Sequence, residues 1–153
     1  AAQTGDPAAY PFPQPKLSGN PLDMSFSGLK TAALNQLHKL QQRQVSLDVA
    51  SFCASFSKAV GDMVVPRTMA ALREKGYKKL AIAGGVAANS QIRARFECET
   101  AAMGATLYAP PLSLCGDNGA MIGSQGYYEF LAGNCADQSL NAYATKSILG
   151  EQL

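Results

Sequence analysis

Apolar positions recur along this chain with two different periods, and the change of period divides it. From about Leu47 to Lys75, the residues Val49, Phe52, Cys53, Phe56, Val60, Met63 and Val64 follow the i, i+3, i+4 spacing of one helical face. That spacing predicts a long helix, kinked or broken at Pro66 and stopped by Gly76 behind Arg73 and Lys75. Cys53 falls on its apolar stripe and reads as core. Upstream, Leu29, Ala33, Leu37 and Leu40 share one face of a shorter helix that Ser25 or Ser27 can cap.

Downstream the apolar runs shorten to strand length. Lys78–Ala83 predicts a strand that ends directly on Gly84-Gly85. Asn89 or Ser90 then caps a helix reaching about Met103, and Gly104 ends it. Ala105–Ala109 predicts a second strand, stopped by Pro110-Pro111, and a loop through Cys115-Gly116-Asp117 leads into a last helix from about Asn118 to Leu131. Strand, glycine turn, helix, strand, loop, helix implies parallel strands joined by a crossover helix, an α/β layered fold. The opening stretch differs. Pro11, Pro13 and Pro15 exclude regular helix and predict an extended arm or edge strand, with Met24-Ser25-Phe26 as a short returning strand. The pattern fades after Gly133. The expected organisation is an arm over 1–23, a main lobe over 24–132 and a polar tail over 133–153.

Composition changes this picture in three ways. The chain is 47% hydrophobic but only 16% charged, so it is globular and part of its surface is expected to lie against something else. The net charge of +2 is small for a nucleic-acid binder, so any RNA contact must be local or shared with another chain or domain. Arg93, Arg95, Lys78 and Lys79 are the candidates for it. Cys53, Cys98, Cys115 and Cys135 are too far apart in sequence for a Cys-x-x-Cys site, which fits a reducing cytoplasm. Neither a signal peptide nor an apolar run of membrane-spanning length is visible, and the absence of an initiator Met fits a fragment.

Three segments carry candidate chemistry. Gly84 and Gly85 stand at a strand's carboxyl end and just before a helix, where ligands bind in open α/β sheets. Their bare backbone can approach a phosphate, and Asn89 offers an amide at the same mouth. A plain tight turn with an ordinary N-cap explains the same residues. In Cys115-Gly116-Asp117-Asn118-Gly119-Ala120-Met121, Asp117 can be an N-cap, a metal ligand or an acceptor for substrate, and Gly119 and Gly123 point to close helix packing. Ser25–Thr31, with Lys30, can attract an anion or simply cap a helix. The single histidine, His38, permits neither a His-Glu-x-x-His zinc site nor a supported Ser-His-Asp triad.

Taken together and in order, Phe26-Ser27-Gly28-Leu29-Lys30-Thr31, Gly84-Gly85-Val86-Ala87-Ala88-Asn89 and Cys115–Ile122 resemble the C-terminal half of the TsaD-type tRNA adenosine threonylcarbamoyltransferases. The resemblance covers roughly residues 10 to 131. It implies a lobe of an actin-like, Hsp70-like ATPase fold, and transfer of threonylcarbamoyl from its adenylate to N6 of the adenosine beside the anticodon in tRNAs reading ANN codons. It implies that Asn89 contacts threonylcarbamoyl-AMP or an adenine nucleotide, that Gly84 and Gly85 line the phosphate region, and that Asp117 binds a divalent metal, iron or zinc. The family's two histidine ligands, three residues apart, have no counterpart here, and Gly116 replaces a frequent threonine. The expectation is therefore a partial cleft, inactive alone, whose partners are an N-terminal lobe, tRNA and, in bacteria, TsaB and TsaE. Once labelled glycoproteases, the family finds no support for peptide hydrolysis in these residues. A small-molecule kinase of the same superfold and a non-catalytic scaffolding lobe are the alternatives.

Overall fold

A computed structural model describes residues 1–14 and 19–142, so Pro15 and the end of the expected tail lie outside the described residues. Two compact units divide the chain, Ala1–Gly116 and Asp117–Leu153. The first holds α1 (Phe26–Gln42), α2 (Val49–Glu74), β1 (Lys79–Ala81), α3 (Ser90–Ala102) and β2 (Thr106–Tyr108). β1 and β2 run parallel with Leu80 opposite Leu107, and α3 connects them, as the order of apolar runs predicts. The strands are shorter than those runs, although single bonds extend the pairing, from Thr106 N–H to Lys78 O at 2.8 Å and from Ile82 N–H to Tyr108 O at 2.9 Å.

The core lies between the helices and one sheet face. Val65, Met69 and Leu72 of α2 meet Ile92 and Phe96 of α3, with the half-buried Leu80, Ile82 and Leu107 packed against them. Side chains alternate across a strand, so Lys79, Ala81, Thr106 and Tyr108 point to the other face, which is exposed. Parallel sheets are ordinarily covered on both sides. Among the described residues only one side is covered here.

Pro66 does not break α2. It removes one intrahelical N–H and crowds the preceding turn, at a cost of about 3 kcal/mol. Met63, Val65 and Met69, each only 1% exposed, surround it. Burying each such side chain contributes about 1.5–3 kcal/mol. Their sum exceeds the local penalty, and the helix runs on with Pro66 on its exposed side. Charge also ties α2 to α3. Asp62 accepts from Arg95 at 2.7 Å and from Lys58 at 2.6 Å. Partial burial raises the Asp62 pKa, but the two hydrogen bonds and charges together outweigh it and leave the carboxyl below its ordinary value. Gly61 makes room for the bridge, since a Cβ there would stand 2.7 Å from Arg95 Nη1.

Among its described residues the proline-containing arm forms no strand. It lies along α2 instead, because the helix supplies the partners that a proline backbone cannot find in a ladder. Asp6 N–H donates to Ser51 Oγ at 3.0 Å, Tyr10 N–H to Ser55 Oγ at 3.1 Å, and Gln14 Nε2 to Ala59 O at 3.2 Å. Ser51, Ser55 and Ala59 stand four apart, on one helical face. Gly5 packs directly on the Ala50 carbonyl, where a side chain would collide with backbone. Tyr10, Phe52, Phe12 and Phe56 follow one another in edge-to-face contacts with centroids 5.3, 5.5 and 5.7 Å apart. Phe12 and Phe56 lead into a second cluster, Leu29 of α1 with Ala59 and Met63. Met24–Phe26, expected as a returning strand, is coil running into α1, with Phe26 as its first residue. Cys53 is only half-buried; the buried cysteine is Cys115, and all four thiols are free.

In the second unit α4 spans Gly119–Leu131 and buries no residue. A Cβ added at Gly119 or Gly123 would meet nothing within 4 Å, so the close packing expected at these glycines is not made by the described residues. Residues 132–142 carry no helix or strand. No helix among the described residues is long and apolar enough to cross a membrane.

Each α-helix closes with the same pair of backbone bonds, as in α2, where Tyr77 N–H reaches Leu72 O and Gly76 N–H reaches Arg73 O, both at 3.1 Å. Glycine supplies the left-handed residue at Gly76, Gly104 and Gly133, but α1 uses Gln44 at φ +54°. The Gln44→Gly variant is expected to gain about 0.5–1 kcal/mol by relieving that conformation. Urea unfolding checks this, and an unchanged or lower midpoint counts against it.

Candidate functional site

Parallel pairing places the carboxyl ends of β1 and β2 on one edge of the sheet, and the two loops that follow them both start there. The first is the glycine turn. Gly84 has φ +79° and ψ 178°, a conformation that only glycine adopts without strain, and it turns the chain out of the sheet. A single 3₁₀ turn, Gly85–Ala88, follows, with Ala87 N–H bonded to Gly84 O at 3.0 Å. The leading amides of such a turn have no partner within it, which leaves the N–H groups of Gly85 and Val86 for an outside acceptor. Gly85 is the informative residue. Its φ is not in the left-handed region, and a Cβ there would meet nothing within 4 Å.

Asn89 is the N-cap of α3, as expected. Its Oδ1 accepts from Gln91 N–H at 3.0 Å and Ile92 N–H at 3.2 Å, while Nδ2 donates to Ser57 Oγ on α2 at 3.4 Å. The carboxamide oxygen is thus occupied by the helix and one N–H of the NH2 group by Ser57, which leaves its second N–H as the donor for a further acceptor. Lys30 is exposed on α1, and its Ser25 neighbour takes the N-cap position without a capping bond. Ser25 Oγ pairs instead with Ser27 Oγ at 3.0 Å.

The second loop runs from Pro110 through a short 3₁₀ turn, Leu112–Leu114, to Cys115. Cys115 is 3% exposed, with its Sγ 3.4 Å from Arg93 Nη2. Arg93 also donates to Ala87 O at 3.0 Å and Pro110 O at 2.9 Å, and Arg95 bridges to Asp62. Both arginines are half-buried and bonded to protein acceptors, whereas Lys78 and Lys79 are exposed. Arg93 and Ser57 are the residues of this region that spacing did not single out as neighbours of the turn. Arg93 stands one helical turn after the cap, and that position was the only signal available. Alongside, an open apolar seam of about 320 Å³ is lined by Phe26, Val64, Leu80, Ile82, Val86 and Phe96.

In the second unit, Asn118 rather than Asp117 caps α4, its Oδ1 accepting from Met121 N–H at 2.9 Å. Asp117 is exposed and lines a shallow hollow of about 320 Å³ with Asn118, Gly119, Met121 and Ile122. A carboxylate relieved of capping is chemically suited to bind a cation. One carboxylate is a single ligand, however, and no group of three His, Cys, Asp or Glu side chains converges among the described residues.

Comparison with known proteins bears on what this edge belongs to. A family model described as TsaD, tRNA N6-adenosine threonylcarbamoyltransferase, matches residues 1–124. Relatives carrying the name tRNA N6-adenosine threonylcarbamoyltransferase include a Desulfitobacterium hafniense protein, 43% identical over 93% of this chain and 42% of its own length. A Moorella thermoacetica protein is 42% identical over 92% of this chain and 41% of its own length. One from Staphylococcus saprophyticus is 42% identical over 88% of this chain and 40% of its own length. The chain spans about two-fifths of the length of these curated relatives. With the matched region taking in the arm, the glycine turn, Asn89 and Asp117, the chain belongs to the TsaD family of tRNA N6-adenosine threonylcarbamoyltransferases.

Proposed function

We propose that this chain carries the nucleotide-binding side of an enzyme that transfers threonylcarbamoyl from threonylcarbamoyl-AMP to N6 of the adenosine beside the anticodon in tRNAs reading ANN codons. Family membership over residues 1–124 supports the activity. At the level of the site, the carrying observation is Gly85, a glycine that the chain's own backbone and packing do not require. A ligand pressed against the turn does require it.

The chemistry asks mainly for positioning. The exocyclic amine attacks the carbonyl carbon of a mixed anhydride, the bond to the phosphate oxygen breaks, AMP leaves with the electron pair, and the amine loses a proton. A protein accelerates this by orienting the donor and by stabilising charge on the departing phosphate. Open amides at Gly85 and Val86 suit the phosphate, and the Asn89 NH2 suits the nucleotide. Asp117 contributes one ligand to a divalent metal, iron or zinc, whose other ligands come from outside this chain. When bound, that metal supplies a fixed positive charge.

On this reading the fold is one lobe of an actin-like, Hsp70-like architecture, which the parallel pair with its crossover helix supports at the coarse level. On the same reading its partners are an N-terminal lobe, tRNA and, in a bacterium, the TsaB and TsaE proteins, in the cytoplasm. The open sheet face and the apolar seam beside the turn are surfaces suited to further protein.

Three substitutions and one control test the reading in the protein produced from its complete gene. Gly85→Ala should lower transfer activity by about tenfold or more while stability stays within about 0.5 kcal/mol. Gly84→Ala, its control, should cost about 1 kcal/mol of stability. Full activity in Gly85→Ala would remove the main support. Asn89→Asp keeps the helix cap but replaces the amide donor with negative charge, so activity should fall about a hundredfold at an unchanged melting temperature. A loss of melting temperature that accounts for the activity would reduce Asn89 to a cap. For Asp117→Ala, metal content measured by atomic spectroscopy should drop together with activity, and wild-type values of both would reject the ligand role.

A further inference from the structure

Backbone pairing stops at the sheet edge, yet the two loops beyond it are joined. Among the described residues no backbone hydrogen bond links residues 84–89 to residues 110–115. The link is Arg93, in the first turn of α3. Its Nε donates to Ala87 O inside the glycine turn at 3.0 Å, and its Nη2 donates to Pro110 O after β2 at 2.9 Å. The same Nη2 lies 3.4 Å from Cys115 Sγ, which in turn leans on the Pro110 and Pro111 carbonyls at 3.9 and 3.6 Å.

We propose that Arg93 is a positioning residue, a clamp whose single guanidinium makes the glycine turn and the loop after β2 one rigid element. Both carbonyls belong to segments with little regular structure, and each would otherwise be free to shift separately. A planar fork reaches acceptors in two directions at once, which the point charge of a lysine does not do. The grip on Ala87, 4% exposed, holds the turn from within, on the side away from its open amides. The clamp therefore acts on substrate only through the turn. Its effect on substrate rests on the transferase reading; its effect on the two loops does not.

The test uses Arg93→Gln and Arg93→Lys in the protein produced from its complete gene. Cys115 is labelled with N-ethylmaleimide against the exposed Cys98 as internal standard, and amide exchange is followed over residues 84–89 and 110–115. Both variants should label Cys115 about tenfold faster with Cys98 unchanged, and should lose protection in the two segments together. If Arg93→Gln does not fold, Arg93→Lys, which keeps the charge without the fork, gives the same reading. Wild-type labelling, or loosening confined to one segment, overturns the clamp. Kinetics then separate its role: KM for threonylcarbamoyl-AMP should rise about tenfold with KM for tRNA unchanged. Faster labelling with an unaltered donor KM overturns the positioning role. A raised tRNA KM with wild-type labelling makes Arg93 an RNA contact instead. Since labelling and exchange need no substrate, they stand or fall apart from the transferase reading.

Discussion

The interlock of α2 with α3 is the constraint on which the larger unit depends. Val65, Met69 and Leu72 meet Ile92 and Phe96 from one continuous helix, and that packing holds Pro66 inside it. Because α3 is also the connection between β1 and β2, the same packing fixes where both strands lie and so where both carboxyl ends open. The Asp62–Arg95 bridge and the small Gly61 beneath it belong to this contact and set its register rather than its strength.

The candidate site inherits its precision from that packing. Asn89 stands at the start of α3, tied to α2 through Ser57, so the end of the turn is anchored to the core. Gly84 supplies the one backbone conformation that lets the chain leave the sheet and enter the helix within a few residues. What remains loose after these constraints is the relation of the turn to the loop after β2, and Arg93 bridges that gap. A functional edge built from short segments thus rests on three side chains with distinct tasks: a cap, a tether and a fork.

Much apolar surface lies open. Tyr108 on the bare sheet face and Val86 beside the seam are each more than half exposed, as are Ile122 and Phe130 on α4. With a charged share of only 16%, the chain has few groups to keep such surface in water. The curated Desulfitobacterium and Moorella relatives are more than twice as long as this chain.

Local signals were legible in the sequence wherever one residue's chemistry decides the outcome. Gly76 and Gly104 end helices because only a left-handed residue completes their closing bonds, Asn89 caps because its side chain imitates a backbone acceptor, and the apolar runs order the strands. The resemblance of three ordered motifs identified the family for the same reason, since residue type at fixed spacing is what a sequence records. Other outcomes required the fold. Pro66 left a kink or a break open until burial on both sides kept the helix continuous, and the prolines left an arm or an edge strand open until Ser51 and Ser55 seated the arm on α2. Arg93, a candidate RNA contact in the sequence, donates to a loop carbonyl; Cys115, not Cys53, became core; Asn118 took the cap that was one of three roles open to Asp117. In each case the deciding energy comes from groups distant in sequence. Spacing alone does not contain them, and only the packed chain brings them together.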